Sequence, residues 1–455
     1  MQNTINIFAV LMLCGLFSAP AACAEVQKRV SDPVFQGDVH YHESGPKDAP
    51  TVLLVHGLGD KAARDWDGLT ADLARDYRVV RFDLPGFGRS SKGNLAYTPE
   101  RYVQFLHALV NREVRARPFF LVGHSMGGAI ALRYAALYPQ DVTALVLVDV
   151  PAILHRYVYS KHLAAFGLNR MVPGLYPNGN DMLGNMLGNV LGNAEKKALP
   201  VDMVVQVPAL RQKLLRGEPS LISGLALALE DFGRDIARVT APTLLLWGEL
   251  DETAPIRSGR VLAANLAHAR LDTFPGAGHV PMDDVPQQFQ ARVREFLRDP
   301  AIPDQAGVLR DAAALPDSAR RGRCEGKRNQ VFEGDFDRID VERCENVALR
   351  RVRARQVVLR SSVVTIEDSR IGGGAEGLVV DSARVTITSS RIEGITAIVA
   401  NNAKLDIAGS RIIGQGAAIT TGTTSEAAFS VSQVESRYHY GPLHGLRFIV
   451  PESPL

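Results

Sequence analysis

Two units in series are expected from this chain: an α/β unit with a mostly parallel sheet, flanking helices and an inserted helical cap, then an all-β unit of stacked repeats. Three observations lead there. Residues 34–298 alternate short apolar runs with amphipathic stretches, the pattern of a parallel sheet covered by helices. Residues 299–323 turn to Asp, Pro, Ala and Arg, with Pro300, Pro303 and Pro316 and few large apolar side chains, as a linker does. From 324 onward Val, Ile, Thr, Ser and Gly dominate, and short motifs recur at intervals of 21 and then 20 residues. A length of 455 residues suits such a multi-domain layout. The 46% apolar and 22% charged content argues against wholesale disorder. A net charge of +2 does not suggest a nucleic-acid binder, which concentrates uncompensated Lys and Arg on one face.

Residues 1–24 read as a secretory signal peptide, with an apolar run over 5–17, then Pro20 and small residues around Cys23, and cleavage after Ala24. The segment before that run lacks Lys and Arg, which leaves a short uncleaved anchor as the alternative. A lipoprotein signal wants Leu three residues before the acylated cysteine, and Cys23 has Pro20 there. The expectation is therefore a periplasmic or secreted chain. Cleavage removes Cys14 and Cys23 and leaves Cys324 and Cys344, which an oxidising compartment would join.

In the α/β unit, strands are expected at 39–42, 52–55, 79–82, 119–122, 145–148, 244–247 and 270–274. Helices are expected at 67–75, 99–111, 126–137, 258–267 and 285–297, with Pro99 just inside the start of its helix. The alternation breaks once. Residues 151–235 carry no strand run and are rich in Leu, Met and Gly, as a helical cap would be. Within them, Leu183, Leu187 and Leu191 recur at spacing four, either as a lid lining or as ordinary packing.

The chemistry concentrates at Gly123-His124-Ser125-Met126-Gly127-Gly128, a G-x-S-x-G turn directly between an apolar strand and a helix. Ser125 is the expected nucleophile, lifted to the end of the sheet by a strained turn. A hydroxyl needs a base and a group that orients the base. Such partners follow in the order acid then histidine, each in a loop after a strand. Asp251 and His279 meet both conditions. Asp149 also ends a strand, and Glu249 lies two residues away from Asp251, so these are the competing acids. Backbone N–H groups must receive the oxyanion. Met126, after the nucleophile, supplies one, and Leu58 in His56-Gly57-Leu58-Gly59 the other. His56 is read as a brace for that loop.

His56-Gly57-Leu58-Gly59-Asp60, the turn Asp83-Leu84-Pro85-Gly86-Phe87-Gly88-Arg89-Ser90, the serine elbow, Asp251 and His279 together resemble the α/β-hydrolase fold family over about 34–298. The resemblance is to the branch with esterases, lipases and C–C bond hydrolases, which keeps a serine nucleophile. It implies hydrolysis of a small-molecule or lipid-like carboxylic ester, with neither metal nor organic cofactor required. The Leu-rich and Met-rich cap suggests an apolar acyl group. C–C bond hydrolysis, lactone hydrolysis and acyl transfer remain open on the same residues. A reading of another class is a surface-binding protein whose repeats carry the function.

In the second unit, Val364-Thr365-Ile366, Val385-Thr386-Ile387 and Leu405-Asp406-Ile407 recur with Ser369-Arg370-Ile371, Ser390-Arg391-Ile392 and Ser410-Arg411-Ile412. Leu378 and Ala397 open a second apolar triplet, and Gly374, Gly394 and Gly414 are expected in turns. The pattern resembles a right-handed parallel β-helix over about 330–435. Cys324 and Cys344 are 20 residues apart, one repeat, which should bring them to equivalent places on adjacent rungs. The run Arg350, Arg351, Arg353, Arg355 and Arg360 has two readings, an envelope or glycan contact, or a solvated face with acidic neighbours. The balance of charges favours the second. With a Pro-rich linker between them, few contacts should cross between the two units.

Overall fold

The computed structural model describes residues 25–154, 201–302, 319–421, 425–443 and 446–450. In chain order the first unit runs β1 (Val26–Asp32), β2 (Gly37–Ser44), β3 (Thr51–Val55), α1 (Asp67–Leu73), β4 (Arg78–Phe82), α2 (Pro99–Leu109), β5 (Phe119–His124), α3 (Met126–Leu137) and β6 (Val142–Val148). It continues through α4 (Val201–Gln206), α5 (Pro208–Leu215), α6 (Pro219–Ala228), α7 (Gly233–Ile236), β7 (Thr243–Gly248), α8 (Ile256–Asn265), β8 (Ala269–Phe274), α9 (Pro281–Asp284) and α10 (Pro286–Arg298). The strands form one sheet in the order β1-β2-β4-β3-β5-β6-β7-β8, with β3 to β8 parallel and β1 and β2 antiparallel at one edge.

Every residue of β3, β5 and β7 is buried, because helices cover both faces of a parallel sheet. That is why these strands read as unbroken apolar runs. β1 was not expected. Its sequence Val-Gln-Lys-Arg-Val-Ser-Asp is mostly exposed, and charged side chains protect a sheet edge rather than form a core. α2 starts as expected, with Pro99 in its first turn and Thr98 accepting a hydrogen bond from the Arg101 N–H at 3.3 Å. The described part of the expected cap, α4 to α7, is helical and lies between β6 and β7. Leu221, Ile222 and Leu225 share an apolar cluster with Met126 and Leu84. The Leu183, Leu187 and Leu191 stripe lies outside the described residues, as do 1–24.

The second unit comprises β9 (Arg320–Glu325), β10 (Val331–Glu342), β11 (Val347–Arg360), β12 (Val363–Glu367), β13 (Arg370–Ile371), β14 (Glu376–Asp381), β15 (Arg384–Thr388) and β16 (Arg391–Asn401). β17 (Lys404–Ala408), β18 (Arg411–Thr420), β19 (Ser425–Ser430), β20 (Ser432–Glu435), β21 (Tyr440–Leu443) and β22 (Leu446–Val450) complete it. β9 therefore begins inside the stretch expected to be linker. Successive rungs pair in parallel, a β-helix-like stack around its own apolar core, and at its end β22 pairs antiparallel with β19 and β21 with β20.

The repeated motifs are the register of that stack. Val364 faces Val385, which faces Leu405, and Arg370, Arg391 and Arg411 align in the same way. The repeated serines form a buried ladder. Ser390 Oγ accepts from Ser369 N, Ser410 Oγ from Ser390 N and Ser432 Oγ from Ser410 N, at 3.1, 3.1 and 3.2 Å. Each corner thereby satisfies a backbone N–H that would otherwise be buried alone. Gly394 and Gly414 lie within β16 and β18 rather than in turns. A Cβ on them would come within 2.5 Å of Thr396 O and 1.9 Å of Ala417 O.

Cys324 and Cys344 are joined, but not as equivalents. In register, Cys324 faces Val341, because the first rungs advance by about 17 residues rather than 20, and the bridge runs diagonally to the next corner. In the arginine run, Arg350 pairs with Glu367 at 3.2 Å, Arg351 with Glu333 at 2.7 Å, Arg353 with Asp335 at 2.6 Å and Arg355 with Asp337 at 3.7 Å. This is a solvated face with acidic neighbours.

The two units touch more than the linker suggested. Arg257 at the start of α8 reaches three rung positions: Nε donates to Thr388 Oγ1 at 2.8 Å, Nη2 to Ile387 O at 3.1 Å, and Nη1 to Asp406 Oδ2 at 2.5 Å. Arg260 pairs with Glu367 at 2.7 Å, and Ser389 Oγ donates to Arg260 O at 3.2 Å. Gly409, at φ 57°, lets the stack close on α8, since a Cβ there would lie 3.2 Å from Val261 Cα. Ala408 and Val431 join the apolar cluster of the first unit.

Candidate active site

Ser125 sits where β5 meets α3, at φ 51° and ψ −122°. Holding a side-chain-bearing residue there costs about 1–3 kcal/mol, which the surrounding packing must offset. The turn leaves no room around it. A Cβ on Gly123 would fall 2.4 Å from Gly127 O, and one on Gly127 would fall 2.2 Å from Val55 O. The Ser125 N–H donates to Val148 O at 2.8 Å, so the neighbouring strand holds the turn in place.

His279, in the loop after β8, places Nε2 2.9 Å from Ser125 Oγ and Nδ1 2.8 Å from Asp251 Oδ2. Asp251 lies in the turn after β7, and its Oδ1 accepts from the N–H groups of Thr253 and Ala254 at 2.8 and 2.9 Å. Burial alone would raise its carboxyl. The facing His279 and the hydrogen bonds it accepts hold it below the ordinary carboxylate range instead. Glu249, the neighbouring candidate, points away and accepts from Thr273 Oγ1 at 2.7 Å.

The loop after β3 lies against Ser125, since a Cβ on Gly57 would stand 2.9 Å from Ser125 Cβ. That brings Leu58 beside the serine from one side. Met126 stands on the other, at the first position of α3, where helix geometry leaves N–H groups without intrahelical partners. His56 braces this loop. Burial pushes its ring down to about 4, so it is neutral, with Nδ1 donating to Gly57 O at 2.7 Å and Nε2 accepting from Leu84 N at 2.9 Å. Asp83 ties the same turn down by accepting from Ala63 N and Arg89 N at 2.9 and 2.8 Å.

Three contributors were not assigned roles from sequence. His124, pushed down to about 3 by burial first and the nearby His279 second, donates from Nε2 to His279 O at 2.7 Å and so fixes the loop that carries His279. Its place inside the serine motif was the available signal. Asp284 accepts from Gly278 N at 2.8 Å, beside His279. Asp149, considered as the acid, is not bonded to His279. It is fully buried at the end of β6, and burial first, then the charge of Asp251, raise its carboxyl well above the usual range.

A family model described as the alpha/beta hydrolase fold matches residues 50–286. An uncharacterized protein of Mycobacterium tuberculosis is 27% identical over 271 residues, covering 57% of this chain and 79% of its own. A pimeloyl-[acyl-carrier protein] methyl ester esterase of Nitrosomonas europaea is 27% identical over 257 residues, covering 55% of this chain and 96% of its own. A 2-hydroxy-6-oxo-6-(2'-aminophenyl)hexa-2,4-dienoic acid hydrolase of Metapseudomonas resinovorans is 26% identical over 272 residues, covering 57% and 87%.

Proposed function

The chain belongs to the α/β-hydrolase fold family, and from that premise we propose that it cleaves carboxylic esters through an acyl-enzyme on Ser125. The observation that carries this reading is the continuous hydrogen-bond chain from Ser125 Oγ through both nitrogens of His279 to Asp251. The Asp251 carboxylate keeps the His279 Nδ1–H turned toward itself, which leaves Nε2 as the acceptor. Nε2 takes the serine proton as Oγ attacks the carbonyl carbon, then returns it to the departing alcohol. The N–H groups of Leu58 and Met126 receive the oxyanion, each such donor worth about 3 kcal/mol in the transition state. Water, activated by the same His279, then releases the acid.

An apolar acyl group is supported by the described cap, where Leu221, Ile222 and Leu225 pack over the core that includes Met126. Export to the periplasm or beyond is supported by the apolar run at 5–17 and by the Cys324–Cys344 bridge.

The test is a chain-length series of p-nitrophenyl esters run beside a thioester, a lactone and a dienoic C–C substrate. Ester turnover should be highest with longer acyl chains, and Ser125→Ala should leave below about a hundredth of it. Retained ester turnover in that variant removes Ser125 from the reaction. Faster turnover of the C–C substrate than of any ester replaces the ester reading.

A further inference from the structure

The hydrolytic scheme leaves Asp149 without a role. Its N–H donates to Leu246 O at 3.1 Å and its Oδ1 accepts from Gly248 N at 3.0 Å, so it ties the ends of β6 and β7 together. Its Oδ2 is enclosed and, among the described residues, receives no hydrogen bond from a donor. The residue is wholly buried and holds φ 46°, a backbone conformation that a side-chain-bearing residue adopts at some cost. Within hydrogen-bonding reach stands a second buried carboxyl, Asp251.

Two enclosed carboxyls in contact do not both ionise, and the proton stays where the anion is less well solvated. Donor counting decides which. Asp251 receives the N–H groups of Thr253, Ala254 and His279, whereas Asp149 receives that of Gly248. We propose that Asp149 is a neutral carboxylic acid whose O–H donates to Asp251, a positioning residue that holds the orienting acid in place. The proposal rests on the reading of Asp251 as that acid.

Charge explains the arrangement. Among the described residues, the carboxyls that face Asp149 are Asp251 from the turn after β7 and Asp284 from α9, with His279 beyond Asp251. An ionised Asp149 would set a second negative charge behind the histidine and repel the carboxylate that orients it. A protonated Asp149 adds a further hydrogen bond to Asp251 while keeping one net charge in the pair. A carboxylic acid kept neutral by its surroundings so that it can donate is an established device in other enzymes.

The experiment compares Asp149→Asn, which keeps a neutral donor of similar shape, with Asp149→Leu, which removes it, in the full chain. Asp149→Asn should hold kcat within about threefold and leave the acid limb of the kcat/KM pH profile in place. Asp149→Leu should lower kcat at least about tenfold with KM little changed, since a hydrogen bond to a charged group is lost. If Asp149→Asn moves the acid limb to lower pH, or costs as much as Asp149→Leu, Asp149 carries charge and the proposal is overturned. Full kcat in Asp149→Leu overturns it as well. Should Asp149→Leu fail to fold, the pH profile of Asp149→Asn still decides. Ser125→Ala and Asp251→Asn act as controls: activity retained in either removes the underlying reading, whereas their loss leaves the shared proton alone under test.

Discussion

Asp406→Ala, a substitution in the β-helix-like stack, is expected to destabilise the hydrolase unit. Asp406 accepts from Arg257 through both carboxylate oxygens, at 2.5 and 3.0 Å, and the two side chains are 28% and 16% exposed. Breaking a fully buried pair costs about 3–5 kcal/mol and an exposed one about 0–1 kcal/mol, so this partly covered pair should cost about 2 kcal/mol. Arg257 opens α8, the helix that follows the Asp251 turn. Trp247 lies under that helix, where a Cβ on Gly259 would come within 2.8 Å of the indole, and its Nε1 donates to Ala254 O at 2.7 Å. The chain has 2 tryptophans, Trp66 and Trp247, both in the first unit. Tryptophan fluorescence therefore reports unfolding of the hydrolase unit alone. At an m-value of about 3 kcal/mol per molar urea, 2 kcal/mol moves the midpoint by roughly 0.7 M. Arg257→Ala should shift it similarly, and the double variant little further, with a coupling of about 1.5 kcal/mol. An unmoved tryptophan midpoint in Asp406→Ala would show that the stack merely hangs on the linker, as the Pro-rich sequence alone suggested.

Gly127→Ala should lower the melting temperature and cut kcat together, because its Cβ would meet Val55 O at 2.2 Å and backbone cannot step aside; overpacking of this kind costs about 1–3 kcal/mol, and a variant with wild-type melting and turnover would contradict the crowding. The buried His124, at about 3 when folded against 6.5 when free, takes up its proton only on unfolding. The stability it contributes is complete above pH 6.5 and drains away as pH falls, so the cost of His124→Gln in urea midpoints should shrink by about 1.4 kcal/mol per pH unit between 6.5 and 4. A cost that stays level over that range would mean that the ring is not held neutral. Mass spectrometry after alkylation of the denatured, unreduced chain should find Cys324 and Cys344 unlabelled. Reduction should then destabilise the stack by about 3 kcal/mol, as expected for a loop of 20 residues, and two labelled cysteines before reduction would contradict the bridge.

Much of the architecture was legible because it is encoded over short stretches. Short apolar runs that alternate with amphipathic stretches suit the strands of a helix-covered parallel sheet, so β3 to β8 were found to within a few residues. The elbow at 123–128 was legible because its motif lies within six consecutive residues, where Gly123 answers a collision with Gly127 O; the contact of Gly127 with Val55 O comes only with the fold. The Ser-Arg-Ile repeats were legible because one ladder of hydrogen bonds demands the same residue on every rung. β1 was missed because an edge strand need not be apolar.

What escaped the sequence depends on groups that meet across long separations. Asp149, Glu249 and Asp251 all follow strands, and nothing local distinguishes them; among the described residues the fold hands Asp251 three N–H donors, His279 among them, and Asp149 one. The disulfide was expected from a constant repeat, yet the early rungs are shorter, and a register is fixed by packing inside the stack rather than by average period. Arg257 and Arg260 look in sequence like the solvated side of an amphipathic helix. Their partners Asp406 and Glu367 lie more than 100 residues away. A charge on a helix reads the same whether water or another unit will face it, because the energy that tells the two apart arises only once the second surface arrives.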